Sequence, residues 1–284
     1  MRLKDKVAIV TGGGSGFGEA IAKRFAEEGA KLIVNDVNDT GGTRIAKEIE
    51  AAQGQGSAIY VRGDVARNDD MARLIAASLD RYGQIDIMVN NAGITHVNRP
   101  MLEVDEAEFD RIYAVNVKSI YLSAKHLVPV LRKQGKGGSI INTASTAGIR
   151  PRPGLVWYNG SKGAVINLTK GMAAELGPDK IRVNALCPVA GDTPLLSSFL
   201  GGSSEAHRQR FIATVPLGRL STPKDVANAA LYLASDEAEF ITGVALDHTE
   251  RAKIPKNVPV LAVSSYTYVI LNWSLTVPLV SNLV

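Results

Sequence analysis

Val7-Ala8-Ile9-Val10-Thr11-Gly12-Gly13-Gly14-Ser15-Gly16-Phe17-Gly18 runs an apolar segment straight into a cluster of glycines, and an amphipathic stretch, residues 19–28, follows. Four to eight apolar residues rich in Val and Ile, closed by turn residues, read as a buried strand, and the stretch after Gly18 has helical periodicity. A strand that turns sharply into a helix aims backbone N–H groups and the positive end of the helix dipole at one point beyond the sheet. Such a point suits a pyrophosphate, and Cβ atoms on the turn would block its approach. These twelve residues therefore predict an α/β fold with an anion site after its first strand.

The same alternation continues outward. Short runs rich in Val and Ile at residues 7–11, 31–35, 58–62, 85–90, 139–143, 182–186 and 241–246 predict strands. Helical stretches begin near Gly18, Thr40, Asp69, Asp105, Val156 and Pro223, several of them after an Asp, Ser or Thr able to cap free N–H groups. This is the pattern of βαβ units: one doubly wound, seven-stranded parallel sheet with helices on both faces. A chain of 284 residues has room for one large domain or two small ones, and no linker or repeat interrupts the series. The expected division is one domain over residues 1–247 and an atypical tail over 248–284.

Composition excludes several classes. With 45% hydrophobic, 21% charged and 6% aromatic residues the chain reads as an ordinary water-soluble globular protein. The net charge of +4 falls to +2 for residues 1–247, because Arg251, Lys253 and Lys256 of the tail face only Glu250. Basic residues elsewhere are interleaved with acidic ones, as in Lys23, Arg24, Glu27 and Glu28, so no nucleic-acid surface is expected. Cys187 is alone and cannot form an internal disulfide, and His96, His126, His207 and His248 share no metal-ligand spacing. Met1 leads directly into a strand-like segment without the regions of a signal peptide, and a cytoplasmic setting is expected.

The glycine turn is spaced Gly-x-x-x-Gly-x-Gly rather than Gly-x-Gly-x-x-Gly. Further along come Asp64-Val65, Asn90-Asn91-Ala92-Gly93, Asn116, Ser145 and Tyr158-x-x-x-Lys162. Together, over about residues 5–247, these motifs resemble the short-chain dehydrogenase/reductase family of the classical type, which includes 3-oxoacyl-carrier-protein reductases and NAD-dependent secondary alcohol or sugar dehydrogenases. The resemblance implies a Rossmann fold, a small alcohol or ketone substrate, a nicotinamide cofactor and a homodimer or homotetramer.

Asp36 ends the second strand, where a carboxylate accepts hydrogen bonds from the adenosine ribose and repels a 2′-phosphate. With Ser15 and Val37 where NADP-preferring relatives usually carry a basic residue, NAD is the expected cofactor. The resemblance assigns it Gly12, Ser15, Gly16, Phe17, Gly18, Asp36, Asp64, Val65, Asn91, Ala92, Gly93, Tyr158, Lys162, Pro188 and Thr193. Thr193 is expected at the nicotinamide carboxamide, although Pro188-Val189-Ala190-Gly191 departs from the family's usual Pro-Gly.

Tyr158 and Lys162 are four apart on a predicted helix and share a face. A free tyrosine has a pKa of about 10, and a nearby ammonium together with a positive nicotinamide is expected to lower it, so that Tyr158 serves as general acid or base. In the family Ser145 holds the substrate oxygen, Asn116 supports a water linked to the lysine, and Lys162 also binds the nicotinamide ribose. Read alone, a serine in Thr143-Ala144-Ser145-Thr146 is a loop hydroxyl.

His96, Arg150, Arg152, Trp157, Leu195, Leu196 and Phe199 are candidates for the substrate pocket. The arginines suit an anionic substrate or a solvated loop. The Gly-rich segment 190–218 reads as a mobile lid or a surface loop. The tail has no charged residue from 258 to 284, but polar residues and prolines interrupt it and residues 271–279 alternate, which favours a strand over a membrane helix. A pairing extension, a frame-shifted end and a membrane-surface anchor all remain open for it. The leading functional expectation is an NAD-linked secondary alcohol dehydrogenase, with a 3-oxoacyl-carrier-protein reductase and a catalytically impaired NAD-binding regulatory protein as alternatives.

Overall fold

The computed structural model describes residues 1–191, 193–200 and 205–247. The strands are β1 (Val7–Thr11), β2 (Lys31–Asp36), β3 (Ala58–Arg62), β4 (Ile87–Asn90), β5 (Gly138–Thr143), β6 (Ile181–Cys187) and β7 (Ala245–Asp247). Every residue of β1 is buried, since successive side chains leave opposite faces and both faces are covered. Val7 and Ile9 enter one core with Ile33, Met88 and Ile140, whereas Ala8 and Val10 enter the other with Leu32, Val34, Val89 and Ile141.

The helices described are α1 (Gly16–Glu27), α2 (Asp39–Gln53), α3 (Asn68–Tyr82), α4 (Glu106–Tyr113), α5 (Ser119–Gln134), α6 (Val156–Leu176), α7 (Leu196–Leu200), α8 (Glu205–Ile212) and α9 (Pro223–Ala234). Ile21 and Phe25 of α1, Ile45 of α2 and Leu231 of α9 fill the first face. Leu74 of α3, Leu127 of α5 and Leu176 of α6 fill the second. Caps set several starts: the Asn38 side chain accepts from Gly41 N, Asp105 from Glu108 N, and Thr222 and Asp225 form a capping box ahead of Pro223.

All strand pairs are parallel, in the order β3-β2-β1-β4-β5-β6-β7. The chain winds outward from β1 to β3, then returns to the other side of β1 through β4. That reversal opens a crevice beyond the carboxyl ends of β1 and β4, where open α/β sheets bind ligands.

Three expectations change. The seventh strand starts at Ala245 rather than 241, because Arg182 and Asn184 donate to the Ile241 carbonyl, Thr242 Oγ1 accepts from Val183 N, and Gly243 turns with φ +76°. The single helix expected from Asp105 is α4 and α5 joined by one π-helical turn, Ala114–Lys118. Segment 190–218 is not loop throughout but carries α7 and α8. The expected tail, 248–284, lies outside the described residues. Among those described, no helix is long and apolar enough to cross a membrane, and no group of side chains could hold a metal ion.

Candidate active site

One cleft of about 420 Å³ occupies the crevice. Gly12 has φ +61°, in the left-handed region, and a Cβ on it would stand 3.0 Å from Ala92 Cα. Gly18 lies so close beneath the turn that a Cβ would run into the Gly12 carbonyl oxygen. The turn is locked to β4: Thr11 Oγ1 accepts from Asn91 N (3.0 Å) and Ala92 N (3.1 Å), and Asn91 Nδ2 donates to Thr11 O (2.9 Å). Ser15 stands at the N-terminus of α1 and its side chain makes no capping hydrogen bond, so the N–H groups of the first turn remain for a ligand.

Asp36 closes the far side of the turn. Its Oδ2 accepts from Gly14 N and its Oδ1 from Asn38 N, each at 2.9 Å. The nearby arginines already have carboxylate partners. Arg44 lies 3.3 Å from the Gly14 carbonyl and pairs with Glu19 (2.8 Å) and Glu48 (3.0 Å), and Arg62 faces Asp39 at 3.4 Å.

At the opposite end, Ser145 leaves β5 and Tyr158 and Lys162 come from the first turns of α6; all three are buried on the cleft wall. The Ser145 hydroxyl lies beside the Tyr158 hydroxyl and favours its ionised form, and Ser145 Oγ accepts from Ala147 N at 3.1 Å. Lys162 Nζ donates to Thr143 O at 2.7 Å and lies 5.9 Å from the centre of the Tyr158 ring. Asn116 lies behind this group in the π-helical turn. Its Oδ1 accepts from Ile94 N (2.9 Å) and its Nδ2 donates to Ile94 O (2.9 Å) and Ser161 Oγ (3.0 Å). A Cβ on Gly93 would lie 3.2 Å from Lys162 Nζ and 3.4 Å from Asn116 Oδ1, so both side chains flank that glycine.

A family model described as enoyl-(acyl carrier protein) reductase matches residues 12–248. The chain belongs to the short-chain dehydrogenase/reductase family. It is similar to a 4-formylbenzenesulfonate dehydrogenase of Comamonas testosteroni, 49% identical over 87% of this chain and 97% of that one. A secoisolariciresinol dehydrogenase of Forsythia intermedia is 40% identical over 85% of this chain and 87% of its own. Among solved structures, a Brucella melitensis protein described as a 3-ketoacyl-(acyl-carrier-protein) reductase complexed with NADH superposes with a TM-score of 0.81 and 46% identity, covering 87% of this chain and 98% of that one. Like the other dehydrogenases and reductases of the family, this short-chain dehydrogenase/reductase is an oxidoreductase acting on CH–OH groups.

Electrostatics in this family member differ from the sequence expectation at one point. Burial pushes the Tyr158 phenol up to about 12, only partly opposed by the Ser145 hydroxyl. The same burial pushes the Lys162 ammonium down to about 8, so it still carries its charge at neutral pH. Behind them Cys187 is fully buried and its thiol is pushed up to about 12, chiefly by burial.

Gly12, Ser15, Gly16, Phe17, Asp36, Asp64, Val65, Asn91, Ala92, Gly93, Ser145, Tyr158, Lys162, Pro188 and Thr193 all line the cleft. Gly18 and Asn116 support it from behind. Thr193 stands against Gly16, at the glycine-turn end of its loop. Of the substrate candidates, Arg152, Leu195 and Phe199 reach the cleft. Trp157 instead donates to Met101 O and meets Phe109 edge-on, His96 is buried against Val97 O, Leu196 is buried, and Arg150 is exposed. Sequence reasoning missed Leu155 and Phe211 on the wall, whose apolar side chains look like ordinary core, and Ser161, which links Asn116 to the Tyr158 carbonyl (2.7 Å).

Proposed function

We propose that this protein is an NAD-linked dehydrogenase of a secondary alcohol, working in reverse as a reductase of the matching ketone. One observation carries the reading: the Ser145–Tyr158 hydroxyl pair and Lys162 share a single cleft with the glycine turn and Asp36. The cleft fits a dinucleotide. The glycines of the turn present no Cβ to a pyrophosphate, the first N–H groups of α1 have no side-chain cap, and Asp36 offers a carboxylate to a ribose diol while Arg44 and Arg62 are engaged elsewhere. When bound, the nicotinamide supplies the site that exchanges hydride with the carbinol carbon.

The remaining chemistry belongs to the side chains. Ser145 Oγ holds the substrate oxygen, with donors fixed where negative charge develops. Tyr158 is neutral near pH 7, so it is ready to give its proton to a ketone oxygen. In the oxidation direction it must accept a proton, and for that the positive charge of Lys162, present below about pH 8, is the local group that favours the phenolate. The Asn116 side chain is committed to Ile94 and Ser161, so a water supported by this residue would bind its backbone carbonyl instead.

Replacing Tyr158 by Phe keeps the ring and removes the transferable proton. We expect NAD-coupled turnover to fall by about 10²–10⁴-fold with NAD binding retained, measured by nicotinamide absorbance and nucleotide titration. A variant that keeps most of the wild-type rate would falsify the acid–base role. The Brucella structure favours a second reading, a 3-oxoacyl thioester reductase. Including such a thioester in the same assay decides between them.

A further inference from the structure

After β6 the chain reads Pro188-Val189-Ala190-Gly191 where the family usually has Pro-Gly, and all four residues line the cleft. Gly191 is buried and its φ is not positive, so left-handed backbone is not what calls for glycine here. Space is. A Cβ on Gly191 would run into Phe17 Cζ, stand 2.7 Å from Phe17 Cε1 and lie 3.0 Å from Ser221 Oγ. The Phe17 ring has little room to retreat, since it packs from the first turn of α1 against the core that α1 shares with α9.

This stretch runs between the reacting groups and the glycine turn. At its start the Pro188 carbonyl accepts from the N–H of Thr146, next to Ser145, at 3.1 Å. Midway, Ser221 Oγ donates to Val189 O at 3.2 Å, and Gly191 forms a parallel bridge with Ser221, the residue before the capping box of α9. Beyond Gly191, Thr193 N donates to Gly191 O at 2.8 Å, and Thr193 Cγ2 would lie 3.5 Å from a Cβ on Gly16. The backbone is thus a strap, fixed beside Ser145 and again at Ser221, and at Gly191 it meets the ring carried by α1.

Resting on the dinucleotide reading of the cleft above, we propose that Gly191 is a positioning residue, whose contact with Phe17 seats the strap of residues 188–191 along the nicotinamide half of the cofactor. A backbone without a Cβ lets strap and ring meet in close contact, so the wall between Ser145 and the glycine turn is already built when the cofactor arrives. A methyl group at this position pushes the two apart. The free protein escapes the overlap by lifting the strap, and the cost of reseating it then falls on binding. The adenosine half, directed to Asp36 on the far side of the turn, does not bear that cost.

Calorimetric titration of NAD and of AMP into the full chain tests this. Gly191→Ala is expected to weaken NAD binding by about tenfold, the scale of an overpacked contact, and to leave AMP binding within about twofold. In a Phe17→Leu background, which lacks the two ring carbons in the way, the same substitution is expected to change NAD affinity by less than about twofold, the non-additivity of residues in contact. Ser221→Ala frees the Val189 carbonyl without adding an atom, and is expected to weaken NAD binding by about threefold to fivefold, again sparing AMP. Unchanged NAD affinity in Gly191→Ala, a parallel loss of AMP and NAD binding, or a Gly191→Ala effect equally large beside Phe17→Leu overturns the proposal. Secondary-alcohol turnover is read separately on the same proteins. If the nucleotide affinities shift as stated but no alcohol is oxidised, the strap stands and the dehydrogenase reading fails.

Discussion

Lys162 is a cation placed where the fold would be more stable without it. It is 4% exposed, its Nζ donates to Thr143 O, and burial lowers its pKa from 10.5 to about 8. Below pH 8 both folded and unfolded chains bind this proton, and the folded chain bears the full cost of a buried charge. Between pH 8 and 10.5 the unfolded chain binds more protons, so this group makes stability rise with pH across that window. The difference corresponds to about 3 kcal/mol, reduced by about 1 kcal/mol for the Thr143 hydrogen bond. We expect cofactor-free Lys162→Met to be more stable than wild type by roughly 2 kcal/mol at pH 7, with the advantage shrinking as pH rises towards 10.5. Urea unfolding at pH 7 and pH 9.5 measures it, and a variant no more stable at pH 7 would show that burial is not the dominant cost. The sequence alone placed Tyr158 and Lys162 on one helical face, because spacing fixes that. It gave a downward shift for Tyr158 where burial in the cofactor-free chain moves the phenol up, because desolvation depends on Leu155, Phe199 and Cys187, which reach the pair from other elements.

At the scale of elements, the βαβ rhythm was legible because a buried parallel strand has both a length and a composition of its own. The π-helical turn was not. One extra residue at Ala114–Lys118 changes neither the apolar period nor the caps noticeably, yet it buries Asn116 against Ile94 and Ser161. The cofactor end shows a similar division. Asp36 was legible from its distance to the glycine turn, but the pairing of Arg44 with Glu19 and Glu48 depends on how α1 and α2 pack together. This pairing governs what a change at Asp36 can achieve. We expect Asp36→Ala to weaken NAD binding by about 10–100-fold, the value of hydrogen bonds to a charged group, without creating NADP affinity, because Arg44 stays with its carboxylates. Adding Glu19→Gln and Glu48→Gln releases the guanidinium beside Gly14, and NADP binding should then rise, as read by fluorescence titration of each nucleotide. An Asp36→Ala protein that binds NADP tightly without those changes would show that the Glu19–Arg44–Glu48 group does not restrain it.

The whole molecule poses a question about which part of the chain supports the site. Among the described residues, the cores on the two sheet faces, the seven paired strands and the cleft wall come from residues 3–247. We propose that residues 1–247 are the domain that binds cofactor and substrate. A chain ending after Asp247 should then keep its thermal midpoint and its NAD affinity, since the packing and hydrogen bonds described here would all be retained. Assembly is a separate matter. Tyr121 of α5 is 59% exposed and Leu168 of α6 is 37% exposed, apolar side chains that a second copy would cover, and both lie within the shortened chain. Truncation is therefore expected to leave the size in solution unchanged as well, whether dimer or tetramer, as measured by sedimentation alongside nucleotide titration. Loss of NAD affinity with an unchanged size would mean that residues 248–284 contribute to the cleft itself. Loss of size and affinity together would instead assign that stretch to the contact between copies, as its alternating residues 271–279 suggest for a pairing strand.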